Sequence, residues 1–378
     1  MTFSSDVTKQ KALTAVGMSG GVDSSVAALL LHQQGYELMG FTLKLTCDIF
    51  VGGSYLEESS CCTADDLIVA RGNCSLLGIE HRVINFSARF KNEIVEPFAD
   101  EYLKGRTPNP CIECNRRIKW SALTDYLAIE GVNAIATGHY ARVNFNKISG
   151  RYELLRGKDR NKDQSYVLWG LSQENLAHTL FPLGELTKAE VRELAASRQM
   201  RNAHHPESQD ICFVPDNNYR NFLRDYRREK IESIGEGVFT DIDGRILGRH
   251  SGYWQFTIGQ RRGLRLAMGK PVYVKNIIPE ENKVVVAEKE QLHEAAFVVS
   301  DTNWISVEPP EKAFDAEVKV RYRHNGVACR INPLPNGKLI VNFTDAPDTT
   351  TPGQSAVFYD GEKVLGGGII DKTVFENK

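Results

Sequence analysis

A glycine-rich turn near the start of the chain constrains the fold more than any other feature of the sequence. Residues 17–25 read GMSGGVDSS and stand between two apolar runs, residues 12–16 and residues 26–31. The first run predicts a strand, and the second predicts a helix that Gly35 can terminate. Successive glycines let the backbone approach an anion, and the N-terminus of the following helix directs N–H groups toward it. The turn therefore predicts an anion-binding loop at the edge of a βα unit.

The same alternation of strand and helix continues through the N-terminal half of the chain. Further strands are predicted at residues 37–44, 82–84 and 134–137, and helices at residues 64–77, 90–103, 116–129 and 188–197. This rhythm predicts an α/β fold, a Rossmann-like parallel sheet with helices on both faces. From about residue 298 the pattern is all-β, and Pro, Gly and Asn turns separate runs at 316–322, 327–331, 339–343, 355–359 and 364–370. We expect a C-terminal β-barrel there.

Length and composition fit a multidomain globular protein. The 378 residues exceed what one hydrophobic core usually supports, so we expect domains at residues 1–215, 216–296 and 297–378, the second being a small central domain. No apolar run is long enough to cross a bilayer, and the first ten residues lack the apolar segment of a secretion signal. A cytoplasmic protein without membrane contact is the expectation. The net charge of −2 does not exclude RNA, because a local basic face can bind phosphates.

The side chains of the loop refine its chemistry. Ser19 and Ser24 add hydroxyl donors, and Asp23 fits a phosphate site only if Mg²⁺ bridges the carboxylate and the phosphate. The loop has no lysine and is neither a Walker A motif nor GxGxxG. A glycine turn needed only for tight packing is the alternative. S-G-G-x-D-S after a first strand is more specific than that, and it resembles the PP-loop of ATP pyrophosphatases, which adenylate a carbonyl oxygen and release pyrophosphate.

Two cysteine-containing segments are the next informative feature. Residues 105–117 read GRTPNPCIECNRR, and they place Cys114 at or near a predicted helix N-terminus with Arg116 and Arg117 behind it. A helix dipole and nearby guanidinium groups both favour a thiolate. A buried pair of cysteines or a zinc knuckle is the alternative, although the second pair of a structural zinc site is missing. Cys212 lies in SQDICF, where nothing local explains it.

Motifs along nearly the whole chain resemble those of the bacterial and organellar tRNA-specific 2-thiouridylases. They are GMSGGVDSSVAA, GRTPNPCIECN, ATGHYARV, KDQSYVLWGLS, SQDICF, TIGQRRGL, VRYRHN and TPGQSAVFY, in that order. Because the matches extend into the C-terminal barrel, a shared PP-loop alone does not account for them. The resemblance implies a sulfurtransferase that thiolates the wobble uridine of tRNA at position 2 and converts ATP to AMP and pyrophosphate.

The resemblance also implies roles for individual residues. Cys114 matches the family nucleophile, and Cys212 matches the cysteine that receives a persulfide. The implied ATP contacts are Gly17, Met18, Ser19, Gly20, Gly21, Val22, Asp23, Ser24, Leu43 and Gly138. The implied tRNA contacts are Asn109, Pro110 and Cys111 around the uridine, with Lys162, Asp163, Gln164, Arg321 and Tyr322 elsewhere and the Arg261–Arg262 loop as a further phosphate contact.

The implied partners follow from the same chemistry. The substrate is the anticodon arm of tRNA, with the tRNAs for glutamate, glutamine and lysine as the expected acceptors. ATP and Mg²⁺ serve the adenylation of the uridine C2 oxygen. The sulfur comes from a persulfide donor, either a cysteine desulfurase or a relay protein.

One position departs from the family pattern. The best-known members carry an aspartate where this chain has Cys111, so any role of a carboxylate there is in doubt. Cys111, Cys114 and Cys212 together suggest a second hypothesis, three thiolates that hold an iron–sulfur cluster and leave one iron open for sulfide. The persulfide route needs only Cys114 and Cys212, and we favour it.

Other functions remain open from the sequence alone. The same loop serves amide-forming ligases that act on small molecules, and it serves tRNA lysidine synthetase-like ligases, but neither class needs the cysteines. A tRNA-binding module with a degenerate loop would release no pyrophosphate. His139, His204 and His205 are candidate metal ligands, although surface or hydrogen-bonded histidines are the simpler interpretation.

Overall fold

The chain forms two compact units. A computed structural model describes residues 12–46, 49–51, 54–55, 63–200, 202–203, 211–214, 217–292, 294–344 and 349–374. The first unit contains residues 1–94, 111–217 and 362–364, and the second contains residues 95–110, 218–361 and 365–378. Cys47, Cys61, Cys62, His204 and His205 lie outside the described residues. None of the helices within those ranges is long and apolar enough to span a bilayer.

The first unit is built on a five-stranded parallel sheet. Its strands are β1 (Thr14–Gly17), β2 (Leu38–Lys44), β5 (Glu80–Asn85), β6 (Ala134–Ala136) and β9 (Thr179–Leu180), in the order β5-β2-β1-β6-β9. The short strands β3 (Phe50–Val51) and β4 (Ser54–Tyr55) form a separate pair. β1 lies at the centre, and Ala15 and Val16 are fully buried, which matches a strand covered on both faces. The predicted α/β sheet is confirmed.

Helices pack against both faces of this sheet. They are Val22–Gln33, Ala64–Leu76, Ser87–Phe90, Leu123–Ile129, Gln173–Ala177 and Lys188–Ser197, with a 3₁₀ turn at Ser165–Leu168. Val26 and Ala27 of the first helix pack with Val191 and Ala195 of the last one, while Ala28 packs toward β1. Because this first helix packs on two sides through apolar residues, its N-terminus has a fixed position after the glycine-rich loop.

Two long helices contain π-helical segments. Ser87–Phe90 continues as a π-helix at Lys91–Val95 and then as an α-helix at Glu96–Leu103. Pro110–Glu113 continues as a π-helix at Cys114–Ala122 before the α-helix Leu123–Ile129. The second helix therefore begins at Pro110 and not at the predicted residue 116, because proline is well suited to the first position of a helix. π-Helical segments are rare and occur often at functional sites.

A hairpin that the sequence did not predict extends the first unit. β7 (Ala141–Asn146) and β8 (Arg151–Arg156) pair antiparallel, and Lys363 and Val364 add to β8. Polar residues are frequent in both strands, so their hydrophobic pattern is weak. Arg142 bridges the hairpin to Glu362 at 2.6 Å.

The second unit contains two β-structures and two charged helices. The helices are Tyr219–Tyr226 and Arg228–Ile234, and a four-stranded sheet follows with β10 (Gly237–Thr240), β11 (Ile246–His250), β12 (Tyr273–Ile278) and β13 (Lys283–Ala287). The C-terminal strands are β14 (Ala296–Trp304), β15 (Phe314–Lys319), β16 (Val327–Pro333), β17 (Leu339–Phe343), β18 (Ser355–Asp360) and β19 (Lys363–Val374). They close into a six-stranded barrel because β14 pairs with both β17 and β19.

The barrel confirms the predicted C-terminal fold, and its core is apolar. Phe297, Val318, Ile331, Val341 and Phe358 are among the fully buried residues that fill it. β14, the strand that closes the barrel, was not predicted from the sequence. The domain boundaries at residues 215 and 296 remain a prediction.

Candidate active site

The glycine-rich loop is fixed by contacts from three directions. Gly20 has a φ of +78°, and a Cβ there would lie 2.7 Å from Asp66, so only glycine fits. The carbonyl of Gly20 accepts a hydrogen bond of 2.6 Å from Nδ2 of Asn202, whose side chain is fully buried. Ser19 donates its backbone N–H to Oγ of Ser24 at 3.2 Å. The loop is thus held in one conformation before any ligand binds.

A cavity of about 280 Å³ opens beside this loop, within the first unit. Its apolar wall is formed by Phe41, Leu43, Leu45, Leu123 and Ile135. Its polar wall is formed by Gly17, Met18, Ser19, Asp23, Ser24, Lys119, Thr137, Gly138, His139 and Gln164. A cavity with one apolar wall and a few convergent polar groups is typical of a small-molecule site. Of the residues that the resemblance assigned to ATP, Gly20, Gly21 and Val22 complete the loop without lining the cavity.

Gly138 allows the segment after β6 to lie very close to the glycine-rich loop. A Cβ at this position would lie 2.8 Å from the backbone carbon of Asp23 and 2.9 Å from the backbone nitrogen of Ser24. Any larger residue would push the segment after β6 away from the N-terminus of the helix Val22–Gln33. The glycine in the ATGHY motif therefore keeps both walls together.

Asp23 is held by two buried side chains. Nζ of Lys188 lies 2.8 Å from each carboxylate oxygen, and the hydroxyl group of Tyr140 donates to Oδ1 at 2.8 Å. Lys188 in turn donates its backbone N–H to Oδ2 of Asp159 at 3.0 Å. Mg²⁺ keeps most of its water and binds proteins through one or two carboxylates together with substrate phosphates. One carboxylate on the cavity wall fits a Mg²⁺ ion that arrives with a nucleotide.

Lys119 and His139 also line the cavity. Nζ of Lys119 donates to Oδ1 of Asn115 at 3.0 Å, and Nδ2 of Asn115 donates to the carbonyl of Val167 at 2.9 Å. Burial, together with the positive charge of Lys119, lowers the pKa of His139 to about 3. The imidazole ring therefore remains neutral, and its Nδ1 lies 2.7 Å from the hydroxyl group of Thr137. This hydrogen bond agrees with the simpler interpretation of His139 as a histidine that is not a metal ligand.

Because the helix begins at Pro110, Cys111 and Cys114 lie in environments that differ from those expected from the sequence. Cys114 lies at the beginning of the π-helix, one turn inside the helix, and it is buried. Cys114 is thus near the helix N-terminus, as predicted, but not at its first residue. Cys111 occupies the first turn instead, and its side chain is exposed. The dipole argument for a thiolate thus applies more strongly to Cys111 than to Cys114.

Cys212 lies in the described segment 211–214 of the first unit, and its side chain is half-buried. The next residue, Phe213, packs edge-on against Phe90 with ring centroids 5.7 Å apart, which anchors this segment. In the described part of the chain, no three His, Cys, Asp or Glu side chains form a group that could hold a metal ion. Cys111, Cys114 and Cys212 therefore do not fit a preformed iron–sulfur site in this structure.

The residues that the resemblance assigned to tRNA fall into different environments. Arg321 and Tyr322 are exposed in the turn after β15, which ends at Lys319 and not at the predicted residue 322. Asn109 and Lys162 are half-buried, Pro110 is buried, and Gln164 lines the cavity. Asp163 is only 6% exposed, and it accepts hydrogen bonds from the backbone N–H groups of Gly157 and Ser165 at 3.1 Å each. Its carboxylate stabilises the loop and has little surface for RNA.

The Arg261–Arg262 loop of the second unit is rigidly built. Oε1 of Gln260 accepts from the backbone of Thr257 at 3.1 Å, and its Nε2 donates to the carbonyl of Arg262 at 2.9 Å. Both arginine side chains are exposed, and within the described residues neither guanidinium group has a hydrogen-bond or ion-pair partner. Arginines presented in this way are suited to bind phosphates.

Sequence reasoning missed several side chains of the site. Lys188 and Tyr140 hold Asp23, Asn202 holds the loop, and Lys119 faces the cavity. Tyr140 belongs to the stretch GHY and Lys119 to the stretch CNRRIK, so the sequence could have indicated these two residues. Lys188 and Asn202 carry no such local signal.

Comparison with known proteins decides the family. Three family models match in succession: tRNA methyl transferase HUP domain over residues 12–216, tRNA methyl transferase PRC-barrel domain over residues 220–288, and aminomethyltransferase beta-barrel domain over residues 294–370. The tRNA-specific 2-thiouridylase of Carboxydothermus hydrogenoformans is 45% identical over 359 residues, which are 94% of this chain and 97% of the relative. The chain belongs to the tRNA-specific 2-thiouridylase family. The 2-thiouridylase of Chloroflexus aggregans is 46% identical over 355 residues, with the same two coverages.

Membership in the 2-thiouridylase family bears on the functions left open by the sequence. The similarity includes both cysteine segments and the C-terminal barrel, which a small-molecule ligase does not need. The family models are described as methyl transferase domains, whereas the near full-length relatives are named 2-thiouridylases. The full-length similarity is the more specific guide to activity.

Proposed function

We propose that this chain is a tRNA-uridine 2-sulfurtransferase that adenylates the C2 oxygen of the wobble uridine and replaces it with sulfur from a cysteine persulfide. One observation carries the proposal: the cysteine-bearing helix forms a wall of the nucleotide cavity. Lys119 and Leu123 line that cavity, and Cys114 begins the π-helical segment to which Lys119 belongs. Adenylation and sulfur transfer can therefore occur on one bound base.

ATP would lie with its base against the apolar wall and its phosphates at the loop. Phe41, Leu43 and Ile135 offer an apolar surface for adenine. The backbone amides after Gly21 and the N-terminus of the helix Val22–Gln33 attract the phosphates. Asp23 would hold the Mg²⁺ ion, which neutralises charge on the departing pyrophosphate.

The first chemical step is attack of the uridine C2 oxygen on the α-phosphorus of ATP. An oxygen–phosphorus bond forms, the bond to pyrophosphate breaks, and the base carries AMP as a leaving group. To reach the cavity, the uridine must leave the anticodon stack, as bases do in other enzymes that modify them. Asn109, Pro110 and Cys111 at the start of the cysteine-bearing helix are the proposed contacts to that base.

The second step uses the persulfide on Cys212. Its terminal sulfur attacks C2, and AMP departs with the original oxygen. The Cys114 thiolate then attacks the Cys212 sulfur, which leaves thiouridine and a Cys114–Cys212 disulfide; alternatively, Cys114 first releases sulfide from the persulfide, and sulfide attacks C2. Either route needs a thiol reductant to restore both cysteines. A half-buried Cys212 is accessible to a sulfur-donating protein, either a cysteine desulfurase or a relay protein.

For tRNA binding, we propose one half-buried lysine of the first unit and three exposed arginines of the second. Lys162 belongs to the first unit, and Arg321, Arg261 and Arg262 belong to the second. Tyr322 is exposed beside Arg321 and can stack on a base. The anticodon arms of the tRNAs for glutamate, glutamine and lysine are the proposed targets. Asp163 is buried beside Lys162 and stabilises the loop that carries this lysine.

The iron–sulfur alternative has no support from the arrangement of the three thiols. No step of the proposed reaction uses a cluster. Anaerobic reconstitution with iron and sulfide, followed by quantitation of both, tests this point: we expect no stoichiometric iron, and equal activity before and after the treatment.

Mass spectrometry of tRNA nucleosides tests the proposal as a whole. The protein is incubated with an unmodified tRNA transcript, ATP, Mg²⁺ and a persulfide donor, and the nucleosides and nucleotides are then separated. We expect 2-thiouridine together with AMP and pyrophosphate, only when tRNA is present. AMP formation on a small molecule without tRNA would instead favour a ligase, and absence of any ATP turnover would favour a binding module.

A further inference from the structure

The nucleotide loop lacks the lysine that many phosphate-binding loops use, yet charge must be balanced during adenylation. In Walker-type loops a lysine reaches the phosphates directly. Here Lys188 has its ammonium group 2.8 Å from each carboxylate oxygen of the loop residue Asp23. The positive charge of Lys188 is therefore largely balanced by the carboxylate of Asp23.

We propose that Lys119 is a catalytic residue of the adenylation step and that its ammonium group contacts the α-phosphate of ATP. This inference rests on the proposed function and adds to it the group that stabilises charge at the reacting phosphorus. Lys119 lines the cavity together with Ser19, Ser24 and Gly138 of the loop side. Phosphates bound at the loop would place the α-phosphate, the one next to the nucleoside, farther into the cavity.

The position of the ammonium group is fixed by a buried amide. Asn115 is 3% exposed, its Oδ1 accepts from Nζ of Lys119 at 3.0 Å, and its Nδ2 donates to the carbonyl of Val167 at 2.9 Å. Asn115 is a neutral acceptor, and this hydrogen bond orients the ammonium group of Lys119. Preorganised charges of this kind lower barriers most, because they need no rearrangement during the reaction.

The local helix geometry also favours a functional position. Lys119 lies in the nine-residue π-helix Cys114–Ala122, and π-helical segments are rare and occur frequently at functional sites. The neighbouring ring of His139 is kept neutral by burial, so it adds no second positive charge beside Lys119. Attack on the α-phosphorus adds negative charge to its non-bridging oxygens, and a cation at this place stabilises that charge more in the transition state than in bound ATP.

The test compares Lys119→Met with the conservative Lys119→Arg and with Lys147→Met, which removes a lysine from the exposed turn between β7 and β8. Single-turnover AMP formation is measured with full-length protein, tRNA transcript and α-labelled ATP. Binding of a non-hydrolysable ATP analogue, persulfide loading of Cys212 and thermal unfolding are measured on the same proteins.

For Lys119→Met we expect a loss of about 100-fold or more in the rate of AMP formation, with analogue affinity within about fivefold of wild type. Lys119→Arg should recover part of the rate, and Lys147→Met should equal wild type. Persulfide loading and thermal unfolding should be unchanged in all variants, which a merely structural role of Lys119 would not allow.

Two results overturn the assignment. The first is a Lys119→Met rate within about threefold of wild type, and the second is a loss of rate that equals the loss of analogue affinity. In both cases wild-type turnover is normal and the proposed function stands. If wild-type protein forms no AMP with tRNA and a persulfide donor, the proposed function has failed and the assignment of Lys119 fails with it.

Discussion

The nucleotide cavity and the three candidate cysteines differ in how completely the folded chain arranges them. In the cavity, Asp23 is held by Lys188 and Tyr140, and Lys119 is held by Asn115. The thiols occupy three different environments: Cys111 is exposed, Cys114 is buried and Cys212 is half-buried. A preorganised cavity suits a step whose barrier is electrostatic, whereas a sulfur carrier must be accessible to another protein. Substitutions in the two regions should therefore affect different steps.

The largest expected effect separates sulfur transfer from adenylation. Cys114→Ser and Cys212→Ser should each abolish 2-thiouridine formation, because each removes a sulfur atom that the reaction passes through. Single-turnover release of pyrophosphate should persist in both variants, since the cavity is intact.

Cys74→Ala and Cys329→Ala are the matched controls for this experiment. Burial raises the pKa of Cys74 to about 11 and that of Cys329 to about 12, so both remain thiols at neutral pH and should be dispensable. Measurable thiouridine from Cys114→Ser or Cys212→Ser, under conditions where the controls are active, would refute the assignment of roles.

A smaller but still large effect is expected at Asp23. Asp23→Asn keeps the size of the side chain but removes the charge that pairs with Lys188, so AMP formation should fall by about 100-fold. Products should remain AMP and pyrophosphate. Persulfide loading of Cys212 serves as the internal control, and it should not change. Full activity of this variant, or ADP and phosphate as products of wild type, would contradict the account of the cavity.

The sequence alone predicts only part of the nucleotide cavity. The loop, the strands on either side of it and the helix Lys188–Ser197 follow from apolar periodicity and glycine turns, which are local properties. The ion pair of Asp23 with Lys188 joins residues 165 positions apart, and no local pattern relates them. Such contacts arise from tertiary packing.

Two local environments differ from those that the sequence suggested, and each difference has a physical reason. The polar triplet Lys162, Asp163 and Gln164 suggests a surface loop, but the carboxylate of Asp163 accepts backbone N–H groups and is buried. The start of the cysteine-bearing helix at Pro110 moves Cys114 away from the helix end. The roles of the site residues in catalysis and RNA binding remain predictions from the family resemblance.

A moderate effect is expected on RNA affinity. Lys162→Gln and Arg321→Gln should weaken tRNA binding, and each should reduce the slope of log K against log salt concentration by about 0.7 to 0.9. Affinity for ATP should not change. Arg330→Gln is the control, because Arg330 already pairs with Asp315 at 2.9 Å on the barrel surface. Binding that is independent of salt in the wild-type protein would exclude the proposed phosphate contacts.

The smallest expected effect concerns Glu294 in the second unit, which is neither a cavity residue nor a thiol. Burial raises the pKa of this carboxyl group to about 7, although hydrogen bonds from Thr350 and the charge of Lys275 oppose the shift. The folded state therefore holds a proton that the unfolded state releases near pH 4.5. Stability should fall as pH rises from about 4.5 to about 7, by at most about 3 kcal/mol.

Glu294→Gln should remove this pH dependence, since the amide keeps an acceptor for Thr350 and does not ionise. Thermal unfolding midpoints at about pH 5 and about pH 8 measure it, and the wild-type midpoint should decrease more than that of the variant. Parallel pH profiles would show that Glu294 does not titrate in this range. AMP formation by Glu294→Gln should match wild type.

The central claim is that the uridine C2 oxygen is adenylated in the cavity before sulfur replaces it. A tRNA whose wobble uridine carries oxygen-18 at C2 tests this directly, with ATP, Mg²⁺ and a persulfide donor. The account predicts that each molecule of 2-thiouridine is accompanied by one molecule of AMP that contains the labelled oxygen in its phosphate. Thiouridine formed together with unlabelled AMP would contradict it.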